Sequence, residues 1–347
     1  MKATQDTIHI AVISDEGYAY PTTVMLASAK YNKKKDSLYC VHCISNGMSL
    51  FSQNQIKALA AEDFNVVLYE IDDKDKYNAI DINLDGTWTK SAIIKTDLPV
   101  ILNNRDKVLF LDGDILVTKD LSDLWNIDIR DYLLAAAPST DQKRAKIFDV
   151  ETYFNAGVML MNLEKWREDD IVTKVWEHFH DNPLQYALIE QDVFNKVCKG
   201  NVKYLPYIWN CYPVKCRLDI TLEDVNKLYR TSFASWEEME AKAAVFHYVY
   251  YKPWRDSTLP HALLWQKYHN ISPYGNTALI YPPKKEQPYT SRNIKGKLLF
   301  FIPLFSIKDR EHKCSIRVLG IEFFRVKKQG KRRTLCFLYI PIVTWKI

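Results

Sequence analysis

Short apolar runs recur through the first 250 residues, each bounded by polar or turn-forming positions. Residues 8–14 (IHIAVIS), 38–44, 65–71, 108–111, 132–137, 153–162, 202–205 and 244–248 carry aliphatic and β-branched side chains with little alternation. Such runs read as strands buried on both faces. Between them, residues 22–29, 52–61 (capped by Ser52), 90–102 (broken by Pro99), 163–179, 190–198 and 263–268 have helical composition. Strand and helix in alternation predict an α/β fold with a mixed, mainly parallel sheet. The G-x-G-x-x-G fingerprint of dinucleotide binding is absent from the first strand–helix unit. Residues 72–85 are polar and irregular, the composition of a loop over a site.

The pattern changes after residue 271. Residues 272–291 read as a linker, rich in Pro, Asn and Tyr over most of their length. Residues 292–347 repeat themselves: FIPLFSIK, GIEFFRVK and YIPIVTWK stand 19 residues apart, aligning Ile302, Ile321 and Ile340, and Lys308, Lys327 and Lys346. This predicts a catalytic domain over 1–271 and a basic-apolar tail over 292–347.

Charge sharpens that division. The chain's net +5 conceals a tail with 14 Lys and Arg against 3 Asp and Glu, and a remainder with 33 against 39. Bulky apolar residues among cations suit an anionic membrane surface; a small β module packed on the catalytic domain, with a solvated basic face, is the alternative. No nucleic-acid recognition motif accompanies the charge, so nucleic acid is not expected as a partner. The beginning of the sequence lacks the pattern of a signal peptide, and no apolar stretch reaches spanning length. Seven scattered cysteines do not form a disulfide framework, and Cys40-x-x-Cys43 lacks a second pair at zinc spacing. A cytoplasmic protein, peripheral on the inner face of a membrane, is expected.

Chemistry concentrates at strand ends. In KVLFLDGDILVTKD (107–120) a buried strand meets two carboxylates, Asp112 and Asp114, which share a face across Gly113. Buried carboxylates need a partner, and oxygen ligands suit a hard divalent cation. Asp15, Asn155 and His247 also stand at strand ends, which converge on one crevice in an open sheet. Lys252 follows His247 across a Pro253 turn. Two carboxylates, an imidazole and an ammonium suit a metal-bound diphosphate, with Mn²⁺ favoured by the imidazole and Mg²⁺ possible. Gly113, lacking a side chain, is expected to leave room for a ligand against the backbone.

Five motifs in order, IAVISDEGY, KVLFLDGDILV, FNAGVMLMNLEKW, EQDVFN and FHYVYYKPW, resemble glycosyltransferase family 8 from about His9 to His269. That family comprises retaining enzymes, among them bacterial lipopolysaccharide α-galactosyl- and α-glucosyltransferases and glycogenin. The resemblance implies a single glycosyltransferase A type nucleotide-sugar domain, a UDP-hexose donor, Mn²⁺ and a glycan or glycolipid acceptor. By motif it implies Asp112, Asp114 and His247 as metal ligands, with Asp112 also near the ribose. Lys252 is implied on the diphosphate, Asp15 to Tyr18 on the uracil, Asn155 on the donor sugar, and Gln191 and Asp192 on its reacting face. Three positions depart from the pattern: Gly17 replaces a frequent Asn, Lys95 an Arg, and Tyr250 a Gly. The chain therefore reads as a retaining hexosyltransferase acting on a lipid-linked glycan of lipopolysaccharide or capsule type. A metal-dependent nucleotidyltransferase, a non-catalytic glycan-binding protein and a self-glucosylating glycogenin-like protein are the alternatives. Front-face attack is expected, with the departing diphosphate oxygen as base and Asn155 and Gln191 positioning.

Overall fold

The computed structural model describes residues 7–72, 74–80, 90–181, 186–213, 220–249, 251–259, 261–277 and six strands between 293 and 346. The chain divides into two compact units, Met1–Ile280 and Tyr281–Ile347.

The first unit holds strands β1 (Ile8–Ser14), β2 (Tyr39–Ser45), β3 (Phe64–Glu70), β4 (Lys107–Leu111), β5 (Ile115–Val117), β6 (Leu134–Pro138), β7 (Phe154–Asn162), β8 (Val202–Tyr204) and β9 (Val245–His247). Seven of them form one sheet in the order β3-β2-β1-β4-β7-β6-β8. Its pairings are parallel except those of β7, which runs antiparallel to both β4 and β6. This is the expected mixed, mainly parallel α/β sheet. Successive side chains point to opposite faces. Val12, Leu109, Leu111 and Leu160 therefore pack in one buried layer with Met25 and Leu26 of helix Glu16–Asn32. Val108, Phe110, Met159 and Met161 pack in the other with Trp166 and Phe194.

Two differences from the sequence expectation bear on the site. The run after Asp114 does not continue β4: β5 leaves the main sheet and pairs antiparallel with β9, opposing Ile115 to His247. The strand 244–248 is therefore not a further strand of the main sheet. Second, β7 is reversed. Asn155 stands at its beginning, and in a parallel strand that end would face away from Asp112. The reversal sets Leu111 opposite Val158 and puts Asn155 beside the end of β4.

Smaller corrections have local causes. The first helix begins at Glu16, not near residue 22, because Asp15 caps it by accepting the Tyr18 amide at 3.1 Å. The cap of helix Leu50–Lys57 is Ser49, not Ser52. Residues 163–179 form two helices, Leu163–Glu168 and Ile171–Asp181, separated where Asp170 adopts φ +51°. Residues 90–97 form a 3₁₀ helix, and Pro99 opens helix Leu98–Ile101 at a position where a missing amide hydrogen costs nothing. Within the expected loop at 72–85, residues 74–78 are helical, Tyr77 and Ile80 are buried, and 81–85 lie outside the described residues.

The second unit is a six-stranded antiparallel meander: β10 (Asn293–Leu298), β11 (Ile302–Arg310), β12 (Lys313–Val318), β13 (Ile321–Gln329), β14 (Arg332–Phe337) and β15 (Ile340–Lys346). The sequence repeats fall on β11, β13 and β15, so the 19-residue period is one up-and-down strand pair. The same register shift recurs with it, at Gly296/Lys297, Ile316/Arg317 and Leu335/Cys336. The repeat is thus a unit of β structure; most of the expected linker lies outside the described residues.

Candidate active site

The end of β4 and the beginning of β7 are joined by a hydrogen bond from the Asp112 amide to the Gly157 carbonyl, 2.8 Å. This junction sets Asp112, Asp114 and His247 together, with one ligand atom from each lying within 4.8 Å of the others. His247 Nε2 lies 3.2 Å from Asp114 Oδ1 and 3.8 Å from Asp112 Oδ2. Asp114 and His247 are buried, while the Asp112 side chain keeps 29% of its exposure and forms the open side of the cluster.

The protonation of His247 follows from a chain of hydrogen bonds anchored on backbone. The Gly157 amide donates to Asn155 Oδ1 at 3.0 Å, which fixes that atom as oxygen. Asn210 Nδ2 donates to the same oxygen at 2.8 Å, so Asn210 turns its own oxygen to His247 Nδ1, also at 2.8 Å. His247 Nδ1 must carry the proton, and Nε2 presents a lone pair to the carboxylates. The 3.2 Å contact is therefore not a hydrogen bond, and Asp114 Oδ1 is a buried oxygen without a donor. Leaving such a group unpaired costs about 1–3 kcal/mol. A divalent cation would satisfy both atoms, so these residues fit one. Gly157 belongs to the same arrangement, since a Cβ there would stand 2.2 Å from His247 Cε1 and 2.7 Å from Asp112 Oδ2.

Two lysines flank the carboxylates. Lys252 Nζ contacts Asp114 Oδ2 at 2.5 Å and the carbonyls of Tyr248 and Val249. Burial pushes the Asp114 carboxyl up, but the Lys252 ammonium outweighs it and holds it below the usual range. Lys95, also buried, bridges Asp112 Oδ1 at 2.9 Å and Glu190 Oε1 at 2.7 Å. Burial disfavours its charge, but the two carboxylates prevail and raise its pKa. Glu190 escaped sequence reasoning; its signal was its place beside Gln191 at a helix start.

Gln191 and Asp192 have different environments. Gln191 Oε1 accepts from Asn155 Nδ2 at 2.9 Å and from the Ala156 amide at 3.0 Å, and its Nε2 donates to Tyr153 Oη. Asp192 does not face the crevice. It is fully buried and receives both Arg144 Nε and Nη2, the Tyr153 hydroxyl and the Leu188 amide. Arg144 and Tyr153 were not anticipated. Ile189, just before Glu190, takes φ +49°, a conformation that a β-branched residue adopts only under constraint.

At the other rim, Asp15 Oδ1 accepts the Tyr18 amide and Oδ2 accepts Ser91 Oγ at 3.0 Å. The Tyr18 ring meets Trp254 edge-on and lies within electrostatic reach of Asp114 and Lys252. Gly113 does not open space for a ligand. A Cβ there would meet Thr22 Oγ1 at 2.4 Å, so the space belongs to the protein's own helix. Tyr250 lies outside the described residues.

Known proteins resemble this chain in sequence and in fold. The sequence profile described as "Glycosyl transferase family 8" matches residues 9–258. A Haemophilus influenzae protein that carries a glycosyltransferase name is 30% identical over 218 residues; the match covers 60% of this chain and 64% of that one. A lipopolysaccharide 1,2-glucosyltransferase of Escherichia coli is 24% identical over 296 residues, covering 82% and 84%. Among solved structures, the galactosyltransferase LgtC, in complex with donor and acceptor sugar analogues, superposes with a TM-score of 0.62 at 25% identity, covering 76% and 96%.

Proposed function

The chain belongs to glycosyl transferase family 8, and on that premise we propose that it is a retaining hexosyltransferase using a UDP-hexose and Mn²⁺. The observation that carries this reading is the orphaned Asp114 Oδ1 beside the bare Nε2 of His247. Asp112, Asp114 and His247 would hold the cation, which when bound supplies positive charge opposite the leaving diphosphate. Lys252 serves the same charge from Asp114's far side, and Tyr18 with Asp15 frames the nucleoside end. Lys95 holds Asp112 in place through its contact with Oδ1.

The carboxylates bear on the route by which the configuration would be retained. A covalent route needs a nucleophile at the anomeric carbon, and Asp192 spends both oxygens on Arg144, Tyr153 and the Leu188 amide. Gln191 is a weak nucleophile whose amide oxygen already accepts two hydrogen bonds. Attack from the leaving-group face therefore suits this site better. The acceptor oxygen bonds to the anomeric carbon as the carbon–phosphate oxygen bond breaks, and the acceptor proton passes to the departing oxygen. Asn155 and Gln191 position the sugar.

The lipopolysaccharide and galactosyl names of the relatives support a glycan of lipid-linked type as acceptor, and glucose or galactose as the transferred sugar. The 14 cations of residues 292–347 suit an anionic lipid surface at the cytoplasmic face; no helix among the described residues is long and apolar enough to cross a membrane. Incubation with a panel of UDP-hexoses and Mn²⁺ tests the reaction: release of UDP that chelator abolishes is expected, and inertness towards every donor would overturn it. Sedimentation with anionic vesicles that is lost on truncation after Pro288 is expected of the tail.

A further inference from the structure

At the opposite end of the parallel strands from Asp112 lies a second set of ligating groups. His9 is the second residue of β1 and Cys40 the second of β2, and the two are register partners. His42, two residues on from Cys40, projects from the same face. The imidazole nitrogens His9 Nδ1 and His42 Nε2 stand 3.0 Å apart, and one ligand atom from each of His9, Cys40 and His42 lies within 4.8 Å of the others. In a tetrahedral zinc site, Zn–N bonds of about 2.0–2.1 Å separate two nitrogens by about 3.3 Å. The observed spacing needs only a small opening.

We propose that His9, Cys40 and His42 bind a zinc-class divalent cation, at a site separate from the transferase centre. The donor set, one thiolate and two imidazoles, selects zinc over Mn²⁺ or Mg²⁺, which prefer oxygen. The second shell is in place: His42 Nδ1 lies 2.9 Å from the Tyr69 hydroxyl, which fixes the ring with Nε2 inward once Nδ1 carries the proton. Asn65 Nδ2 donates to Cys40 Sγ at 3.7 Å.

Proton accounting is simple. The one proton between the two imidazoles moves to the outer nitrogen of its own ring by tautomer exchange, and the thiol releases its proton to solvent. Burial disfavours the thiolate, while the Arg105 charge favours it. Arg105 Nε is buried without an acceptor, and the metal-bound sulfur would offer it one. The fourth position opens on a cavity of about 350 Å³ lined by Thr7, Asn65 and Arg105, among others, which admits water as the last ligand. Cys43 takes no part. It pairs with Val12, whose side chain points to the other face of the sheet.

Titration of the full chain with Co²⁺ as a spectroscopic stand-in tests this. One equivalent is expected to give a thiolate-to-cobalt charge-transfer band that zinc displaces. The band is lost in Cys40→Ser and in His9→Gln and kept in Cys43→Ser, with far-ultraviolet circular dichroism confirming that each variant is folded. Absence of the band in the wild type, or its survival in either ligand variant, overturns the site. Should a ligand variant fail to fold, the wild type decides: zinc must shield Cys40 from alkylation, read by peptide mass, and unprotected Cys40 overturns the proposal.

Discussion

Asp114 and Asp192 are both buried aspartates within one site, and they are opposites. Asp192 has each oxygen filled by protein donors, with a guanidinium to balance its charge. Asp114 has a lysine on one oxygen and nothing but a lone pair facing the other. A protein that completes a carboxylate's partners is using it to hold structure. One that leaves a buried oxygen open, with a second bare ligand aimed at the same point, has reserved it for something outside the chain. Asp120 extends the contrast. Its carboxylate is met mainly by neutral donors, the Lys34 and Ser122 amides and the hydroxyls of Ser37 and Tyr39.

Removing the open carboxylate should hurt turnover most. Asp114→Ala is expected to lower UDP-hexose cleavage by on the order of 10³-fold, measured as initial rates at saturating Mn²⁺. Removing the closed one should hurt stability instead. Asp192→Asn leaves the half-buried Arg144 beside a neutral group and should cost about 1–3 kcal/mol in urea unfolding. Turnover per folded molecule should fall by far less than in Asp114→Ala. Restored stability in Arg144→Met combined with Asp192→Asn would sharpen the distinction, and equal rate losses in Asp114→Ala and Asp192→Asn would break it.

Asn210→Ala probes the link between the two. It removes the acceptor that holds the His247 proton on Nδ1, and an outer-shell loss of this kind weakens metal binding by about 10–100-fold. Asp120 sets the lower end of the scale. Burial pushes its pKa up, but its donors outweigh this and bring it from 3.8 to about 2. The unfolded chain therefore binds the proton more readily, and the stabilisation is lost as pH falls from 3.8 towards 2. Asp120→Asn should remove about 1 kcal/mol of that acid dependence, read from urea midpoints across this window.

Much of the frame was legible because runs such as IHIAVIS and YFNAGVMLMN are buried on both faces, and continuous apolarity announces such strands. Direction was not legible. Nothing in FNAGVMLMN states that β7 runs backwards, yet that reversal is what delivers Asn155 and Gly157 to Asp112. The metal cluster was read from residue type at strand ends, and the structure assembles it. The partners that decide each residue's role were hidden by sequence distance: Arg144 lies 48 residues from Asp192 and Asn210 lies 37 from His247. His9, Cys40 and His42 are masked in the sequence by the C-x-x-C spacing and by the distance between the two strands. In a strand that spacing sends the two thiols to opposite faces, whereas i and i+2 share one.

The central claim is that Asp112, Asp114 and His247 reserve a place for one divalent cation. Electron paramagnetic resonance of free Mn²⁺, followed through a titration of the Cys40→Ser protein with UDP present, counts the bound ion directly. One equivalent is expected to disappear from the free signal, and the same titration of Cys40→Ser combined with Asp114→Ala should bind none at comparable concentration. Equal occupancy with and without Asp114 would contradict the account.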